Sequence, residues 1–327
     1  MSRPVSDTDW RAQAAHQTRL AFGQALLALG ATDRRTVVIS ADTQDLLGIR
    51  PYIARHPDRF VELGIAEQNA IGVAAGLATT GMRPFVCAYA PFISARSMEQ
   101  VRNDLAYANQ RVVIGAAASG ISLGVAGGTH HALEDIALMR SLPGMTVIVP
   151  ADADQAYHAT LATQDIDGPV YLRLGGRVEE PPVGPDDRPF RTGQAETLRE
   201  GSDLAVIACG ALVDLSLRAA DALQAEGLSV RVINMHTLKP LDRDAVLTAA
   251  AETRGIVTAE EHHLCGGLGG AVAELLALEH PTRMRMVGVP DVFASIGPTV
   301  RLRAKYGLSA EGIAGACREL AGLTPPR

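Results

Sequence analysis

The sequence predicts an α/β protein of two domains, each built on a mostly parallel β-sheet covered by helices on both faces. Short, continuously apolar strand segments alternate with helical segments, which is typical of parallel sheets buried on both faces. The alternation stops at an exposed-type stretch, EEPPVGPDDRPF, and then begins again. The 327 residues suffice for two domains, and we expect them to span residues 1–185 and 186–327.

The predicted elements of the first domain follow in a regular order. The first is one helix over residues 11–30, because apolar residues recur at helical spacing until Gly30. A β-branched run ending in Asp42 predicts a buried strand. The elements that follow are the strand-like FVELG, the small-residue helix of IAEQNAIGVAAGLATTG, the strand RPFVCAYAP, the helix SMEQVRNDLAYAN, the strands RVVIGAAASG and TVIVPAD, the helix DQAYHATLATQ and the strand PVYLRLG.

The second domain repeats the alternation. Its segments are DLAVIACG, a helix over 214–226, LSVRVINMHTLKP, a helix near 242–252, GIVTAEEH and a Gly-rich turn into a helix. The turn, GGLGG, departs from the GxGxxG order of dinucleotide-binding proteins, and no acidic residue stands at the expected place beyond it. This argues against nicotinamide binding.

Charge and cysteine content exclude several classes of protein. The net charge is -6, from 30 basic and 36 acidic side chains without long single-sign runs, which does not favour nucleic acid or a membrane surface as partner. No stretch reaches the ~18 apolar residues of a membrane span, and the start of the chain does not resemble a signal peptide. The four cysteines lack metal-ligand spacing, and buried free thiols are expected for three of them. We therefore expect a cytoplasmic protein.

Glu67 is the first candidate functional residue. It lies where the strand-like FVELG passes into a helix, among small apolar neighbours. A carboxylate at this position either accepts hydrogen bonds from the free N–H groups of the first helical turn or is held there for chemistry. The position alone favours the first interpretation.

Two aromatic residues, Tyr89 and Phe92, stand in a strand-to-helix turn of a chain with only 4% aromatics. Packing in the core is the simplest interpretation of both. Loops at the carboxyl ends of parallel strands are, however, where open α/β sheets bind ligands. Arg96, four residues after Phe92, could meet a substrate anion or pair with a surface carboxylate.

A glycine-rich segment precedes His130 and His131. Glycines let the backbone approach a ligand closely, and a histidine can exchange protons near neutral pH. Adjacent histidines point in different directions and no third ligand has suitable spacing, so no metal site is predicted in this chain.

These segments, in this order, resemble transketolases and 1-deoxyxylulose-5-phosphate synthases. ELGIAEQNAIG is similar to the glutamate-bearing motif of the pyrimidine-binding domain, and GGTHHALEDIALMRSLPGMTVIVPAD to the segment with a Thr-His pair. LKPLD, VTAEEHHLCGGLGGAVAE and AKYGLSAEGIA are similar to landmarks of the C-terminal domain. The resemblance covers about residues 15–320. It implies a pyrimidine-binding domain over 1–185 and a transketolase C-terminal domain over 186–327.

The resemblance implies thiamine diphosphate as cofactor. Glu67 matches the carboxyl group that bonds to the cofactor's pyrimidine ring and activates it, and small neighbours would keep water away from that bond. Phe92 matches the ring that stacks on the pyrimidine. Tyr89 and Ile65 are expected beside it as further cofactor contacts.

The resemblance also assigns substrate contacts. His130 matches a histidine that orients the substrate or moves its protons, and Arg96 and Arg173 match positions that contact an anionic end. Two positions depart from the ordinary pattern. Ala126 replaces an acidic residue that binds a sugar hydroxyl, and Ala118 replaces a phosphate-contacting histidine. These departures favour a substrate other than the ordinary pentose phosphates.

The Gly-Asp-Gly segment and downstream Asn that hold magnesium and the diphosphate in full-length relatives are not found in this sequence. We therefore expect a partner chain, an N-terminal-half transketolase subunit, to carry the Mg²⁺ and diphosphate ligands. This chain would be the small subunit of a split transketolase that transfers a two-carbon ketol unit between sugar-like substrates. Two such pairs imply a two-fold heterotetramer.

Two other functions are open at this point. The β-subunit of a 2-oxo acid dehydrogenase has the same two domains, although it differs at the Thr-His segment and at KYGLSAEGIA. A non-catalytic subunit could stabilise its partner without taking part in chemistry, and the presence of Glu67 argues against it.

Overall fold

The computed structural model describes residues 7–323, and its two sheets confirm the α/β class. The strands of these sheets are β1 Thr36–Ser40, β2 Phe60–Glu62, β3 Arg83–Tyr89, β4 Val113–Ala117, β5 Thr146–Ile148, β6 Val170–Arg173, β7 Glu196–Arg199, β8 Leu204–Ala208, β9 Val230–Asn234, β10 Thr237–Lys239, β11 Ile256–His263 and β12 Met284–Val289.

Helices connect most of the strands. They are α1 Asp7–Ala14, α2 Thr18–Thr32, α3 Arg50–Arg55, α4 Glu67–Thr79, α5 Met98–Gln100, α6 Asp135–Arg140, α7 Ala153–Ala162, α8 Leu212–Ala225, α9 Arg243–Glu252, α10 Leu268–Glu279, α11 Thr299–Lys305 and α12 Ala310–Ala321. The π-helical segments Phe92–Arg96 and Val101–Tyr107 flank α5.

The first sheet has seven strands in the order β10-β5-β6-β4-β3-β1-β2, and all its strands except β10 run parallel. The second sheet has five strands in the order β12-β11-β8-β9-β7, with β7 antiparallel at one edge. The parallel strands of both sheets are mostly buried along their length, as their continuously apolar sequences predict.

The apolar core is continuous between the domains. Ile71 of α4 and Ile114 of β4 belong to the same buried cluster as Ile233 of β9 and Leu276 of α10. Burial of this shared surface stabilises the two domains against each other, because each square ångström of apolar surface removed from water contributes roughly 25 cal/mol.

One strand crosses the boundary that the linker predicts. The segment LSVRVINMHTLKP forms β9 of the second sheet, turns, and then supplies β10 to the first sheet. Thr237 of β10 pairs with Ile148 of β5 in antiparallel register. The second half of the chain therefore completes the first sheet.

The prediction of a single helix over 11–30 is wrong. The helix breaks at Ala15 and His16, which have φ of 45° and 53°, so that α1 and α2 are separate. The carbonyl of His16 accepts a hydrogen bond from the backbone N–H of Glu180 (2.8 Å), and the Glu180 carboxylate accepts one from the backbone N–H of Thr18 (2.7 Å). A distant glutamate thus ends one helix and begins the next.

Other expectations are met by the structure. Cys87, Cys209 and Cys317 are buried free thiols, while Cys265 is exposed. The glycine-rich turn GGLGG enters α10, and the carboxylate of Glu260 accepts hydrogen bonds from the first N–H groups of that helix (2.7 and 2.8 Å). The position where a dinucleotide pyrophosphate binds in other folds is therefore capped by the chain itself. Over residues 7–323, no helix combines the length and apolarity needed to cross a bilayer.

Candidate active site

The candidate residues lie along one edge of the first sheet. The loops that follow β2, β3 and β4 all leave the carboxyl ends of parallel strands, so they meet at the same edge. The first loop leads to Glu67, the second carries Phe92 and Arg96, and the third carries His130.

Glu67 is the first residue of α4 and is only 2% exposed. Its Oε2 accepts a hydrogen bond of 2.7 Å from Nη1 of Arg96. A buried carboxylate is costly without a partner, so this ion pair provides the compensation that the apolar surroundings do not. The structure therefore brings together two of the predicted residues, Glu67 and Arg96, in direct contact.

Three rings form a compact group beside this pair. The ring of Phe92 lies 5.1 Å from the imidazole of His130 and 5.9 Å from the ring of Tyr89, measured between centroids. Tyr89 and His130 are 6.0 Å apart, and all three contacts are edge-to-face. Such contacts stabilise an aromatic cluster beyond the burial of its surface.

Two further contacts define the mouth of this group. The guanidinium carbon of Arg96 lies 4.6 Å from the centroid of Phe92, within the range of a cation–π interaction. Ile65, two residues before Glu67, leaves 71% of its surface exposed. An exposed branched apolar side chain next to a buried carboxylate is a contact surface for another molecule rather than part of the core.

The glycine-rich loop that carries His130 is closed at its base. Gly120 and Ala132 exchange two backbone hydrogen bonds (2.9 and 3.0 Å), which bring the two ends of the loop together. Within the loop, the hydroxyl of Thr129 lies 3.0 Å from Nδ1 of His130. His131 points elsewhere: its Nε2 contacts the Gly124 carbonyl, and burial lowers its pKa.

The second domain holds this loop in place. Glu261 of β11 accepts a hydrogen bond from the backbone N–H of Ile121 (2.8 Å) and pairs with Arg303. The hydroxyl of Thr299 donates to the Ile121 carbonyl (3.0 Å) and accepts from the N–H of Gly124 (3.3 Å). Sequence analysis missed Glu261, Arg303 and Thr299. The signal for Glu261 was the pair of acidic residues that ends the apolar run GIVTAEEH, a pattern that demands partners if it is buried.

The structure does not bring Arg173 to the group around Glu67. Its side chain is 5% exposed, and its Nε donates to Asp135 Oδ2 (2.8 Å). Its Nη2 donates to the carbonyls of Ala132 (3.0 Å) and Glu261 (2.9 Å). Burial lowers the pKa of Arg173, but the Asp135 carboxylate outweighs burial and the net pKa is raised. These contacts tie the end of the His130 loop to the second domain and occupy the guanidinium.

A small cavity lies between the domains, lined among others by Ser122, Arg173, Glu180, Glu261 and Arg303. Burial raises the pKa of Glu180 to about 7, against the hydrogen bonds from Thr18 and the Arg303 charge, which lower it. The base of the His130 loop is therefore a region of dense buried charge.

The two substituted positions also lie in the loop after β4. Ala118 is fully buried, with φ of 58°, and its N–H donates to the Gly175 carbonyl (3.0 Å). Ala126 ends the short 3₁₀ turn Gly124–Ala126. Neither alanine can supply the hydrogen bond or charge that the ordinary pattern has at its position.

Within the described residues, one group has metal-ligand geometry: Asp154, His158 and Asp187. Nη2 of Arg11 already hydrogen-bonds to both carboxylates, at 2.8 and 2.7 Å. The group is therefore an ion-pair network that joins α1, α7 and the linker. It contains none of the residues gathered around Glu67.

The residues at the sheet edge fit one end of thiamine diphosphate. A buried carboxyl group beside aromatic rings offers a hydrogen bond and stacking faces, which are what a flat aminopyrimidine requires. The fit concerns this ring alone, because a diphosphate and its metal require carboxylate, amide or backbone N–H donors of another kind.

Comparisons with known proteins agree with this organisation. Residues 14–177 match the family described as transketolase, pyrimidine binding domain, and residues 193–313 match transketolase, C-terminal domain. The chain is 40% identical over 295 residues to the second of the lettered subunits of the apulose-4-phosphate transketolase of Phocaeicola vulgatus, covering 90% of this chain and 94% of the relative. It is 39% identical over 307 residues to 6-deoxy-6-sulfo-D-fructose transketolase subunit SqwH of a Clostridium species, covering 93% and 94%.

Longer relatives and a solved structure extend the likeness. The chain is 42% identical to 1-deoxy-D-xylulose-5-phosphate synthase of Thermomicrobium roseum over 300 residues, which are 90% of this chain but only 47% of the relative. A solved structure described as a split gene transketolase, inactive beta4 tetramer, is 41% identical, with a TM-score of 0.85 over 94% of this chain and 99% of the other.

Proposed function

Since this chain belongs to the transketolase family, in which it corresponds to the small subunit of a two-chain enzyme, we propose that it completes a thiamine diphosphate site with a partner chain and transfers a two-carbon ketol unit between sugar-like substrates. The observation that carries the proposal is the buried carboxyl group of Glu67 at the start of α4, beside the ring cluster of Tyr89, Phe92 and His130.

Each residue has a proposed task. When bound, thiamine diphosphate supplies a carbanion that stores the two-carbon unit between donor and acceptor. Glu67 holds the proton at the pyrimidine ring, and the low exposure of its carboxyl group strengthens that hydrogen bond. Phe92, Tyr89 and Ile65 contact the ring and exclude water. His130 orients the substrate and moves protons at its oxygen atoms.

The partner chain is proposed to carry the diphosphate and Mg²⁺ ligands, and two pairs of chains to form a two-fold heterotetramer. The outer face of α4 supports close contact with another molecule. Gly72 and Gly76 are exposed, and a Cβ added to either would meet no atom within 4 Å. Two such glycines cost the helix about 1 kcal/mol each relative to alanine, so they are explained by the approach of another backbone. The relative solved as a β4 tetramer is described as inactive, which agrees with a site that needs a second kind of chain.

The proposed substrate is a sugar that carries an anionic group and differs from the ordinary pentose phosphates. Ala126 and Ala118 remove two of the usual contacts, while Arg96 retains a cation at the site. The names of two relatives concern a phosphorylated and a sulfonated sugar, and both proteins are described as transketolase subunits. The proposal keeps the cytoplasmic location expected from the free cysteines.

Reconstitution with a diphosphate-binding partner subunit tests this function. We expect ketol transfer only from the mixture of both chains with thiamine diphosphate and Mg²⁺. Glu67→Gln should lower kcat by about 100-fold or more, because an amide cannot exchange the proton that a carboxyl group shares with the ring. Turnover of a panel of neutral, phosphorylated and sulfonated sugars would then identify the substrate class.

Two results would contradict the proposal. Unchanged turnover of Glu67→Gln would remove Glu67 from the chemistry. A reconstituted pair that binds no thiamine diphosphate would exclude the cofactor. Thermal unfolding of the variant pair is the control, since Gln preserves the size of the side chain and should leave assembly intact.

A further inference from the structure

Arg96 makes both of the contacts that the proposed function assigns to the cofactor's pyrimidine ring. Its Nη1 donates to the Glu67 carboxylate at 2.7 Å, and its guanidinium lies over the face of Phe92 at 4.6 Å. A guanidinium is flat, carries N–H donors in its plane and stacks on aromatic rings. An aminopyrimidine is also flat, offers in-plane hydrogen bonds and stacks on the same surfaces.

Resting on the proposed function, we infer that Arg96 is an internal competitor of the cofactor, which holds Glu67 and Phe92 until thiamine diphosphate displaces it. One Glu67 carboxyl oxygen and one face of Phe92 cannot serve both groups. Cofactor binding must therefore break the Arg96 ion pair and its stacking contact. The site alternates between an arrangement in which Arg96 is bound to Glu67 and one in which Arg96 is released.

The exposures of the two partners determine which of them moves. Glu67 is fixed at the start of α4 with 2% of its side chain exposed, whereas 46% of the Arg96 side chain is exposed. Arg96 lies at the end of a π-helical turn, Phe92–Arg96, and its long side chain can turn into solvent without unfolding the segment. Glu67 stays in place and Arg96 moves.

Release of Arg96 changes what it can bind. A guanidinium freed from Glu67 regains its donors for a phosphate or sulfonate, both of which it binds in bidentate fashion. The same residue therefore protects a buried carboxylate before the cofactor arrives and offers a cation to an anionic substrate afterwards. The anion site becomes available only when the cofactor is present.

Removal of the competitor should tighten cofactor binding. The apparent affinity of a ligand is reduced by the fraction of protein in the arrangement that cannot bind it. In the reconstituted enzyme with Mg²⁺, we expect Arg96→Met and Arg96→Gln to lower the Kd for thiamine diphosphate by about three- to tenfold, measured by isothermal titration calorimetry. The KM for an anionic sugar substrate should rise in the same variants by about tenfold or more.

Arg218→Met is the matched control. Arg218 on α8 is also an exposed arginine paired with a carboxylate, Asp214, at 3.0 Å, and its replacement should change neither constant. Thermal unfolding of each variant pair checks that the site still folds. Two substitutions of different polarity at Arg96 guard against a loss of structure in one of them.

The outcomes separate this inference from the proposed function. If wild-type enzyme binds the cofactor and both Arg96 variants bind it equally well or more weakly, the competitor role is wrong while the proposed function stands. If wild-type enzyme binds no thiamine diphosphate, the proposed function fails first. A lower Kd with a raised substrate KM supports both uses of Arg96.

Discussion

Glu67 and His130 lie at the same edge of one sheet, yet the structure holds them by different means. Glu67 is placed by α4, and its ion pair with Arg96 lies within the first domain. His130 lies on a glycine-rich loop whose position depends on Glu261 and Thr299 of the second domain. Loops that carry function are commonly fixed by a rigid scaffold. Here the two sides of one candidate site rely on different scaffolds.

The difference assigns a task to the second domain. It contributes no residue to the group around Glu67 in the described structure, but it sets the loop on which His130 stands. Disturbing the second domain should therefore impair substrate handling while leaving cofactor binding intact. Three variants test this separation.

Glu261→Gln should have the largest effect. The amide can still accept from the Ile121 N–H, but it leaves the mostly buried Arg303 without its counter-charge. We expect a loss of about 3 kcal/mol in the free energy of unfolding, measured with urea. Because a displacement near 1 Å can strongly reduce turnover, kcat/KM should fall about tenfold or more.

The Kd for thiamine diphosphate should stay unchanged in Glu261→Gln. Glu319→Gln serves as a control, since Glu319 pairs with Arg285 at 3.6 Å and both side chains are largely exposed. Its effect should stay within about 0.5 kcal/mol. A parallel loss of cofactor affinity in Glu261→Gln would show that the two sides of the site are not independent.

Glu180→Gln should change the pH dependence of stability. Burial raises the pKa of Glu180 from an ordinary 4.5 to about 7, so between these values the folded chain binds a proton that the unfolded chain lacks. Stability from this group is full below about pH 4.5 and is lost as pH rises through 7. At pH 8 the variant should exceed wild type by roughly 3 kcal/mol at most.

Urea unfolding of both proteins at pH 5 and pH 8 measures this difference. The quantity to compare is the variant minus wild type at each pH, because other groups titrate in both proteins alike. An equal difference at the two pH values would mean that Glu180 does not titrate in this range. Hydrogen exchange should show faster opening of residues 120–131 at pH 8 in wild type, with α4 unaffected.

Thr299→Val should have the smallest effect. Valine keeps the shape but removes the two hydrogen bonds to the loop, which should cost about 1–2 kcal/mol and speed hydrogen exchange over residues 121–127. Thr258→Val is the matched control, because the buried hydroxyl of Thr258 has no hydrogen-bond partner among the described residues. Equal costs in the two variants would show that the Thr299 bonds do not hold the loop.

Much of the fold could be predicted because the local signals agree with it. Apolar strands alternating with helices indicated the α/β class, and the proline-rich linker marked the change of domain. The break at Ala15 and His16 could not be predicted, because its cause is Glu180, a residue more than 160 positions away. The passage of Thr237–Lys239 into the first sheet is hidden for the same reason, since strand propensity does not reveal the pairing partner.

The candidate site divides along the same line. The grouping of Glu67, Phe92 and His130 follows from the rule that parallel strands present their carboxyl ends at one edge. Arg173 obeys that rule as well, but its side chain is directed to Asp135 and two carbonyls. Whether a charged side chain at a strand end faces a ligand or the interior depends on tertiary partners that one sequence does not display.

The antiparallel strand Thr237–Lys239 has a consequence for synthesis of the chain. Its partner β5 ends at Ile148, so the edge of the first sheet waits for about 90 further residues before it is covered. An uncovered strand edge is a template for pairing with other chains. During translation the first domain is therefore exposed to misassembly until much of the second has left the ribosome, which favours keeping both domains in one uninterrupted reading frame.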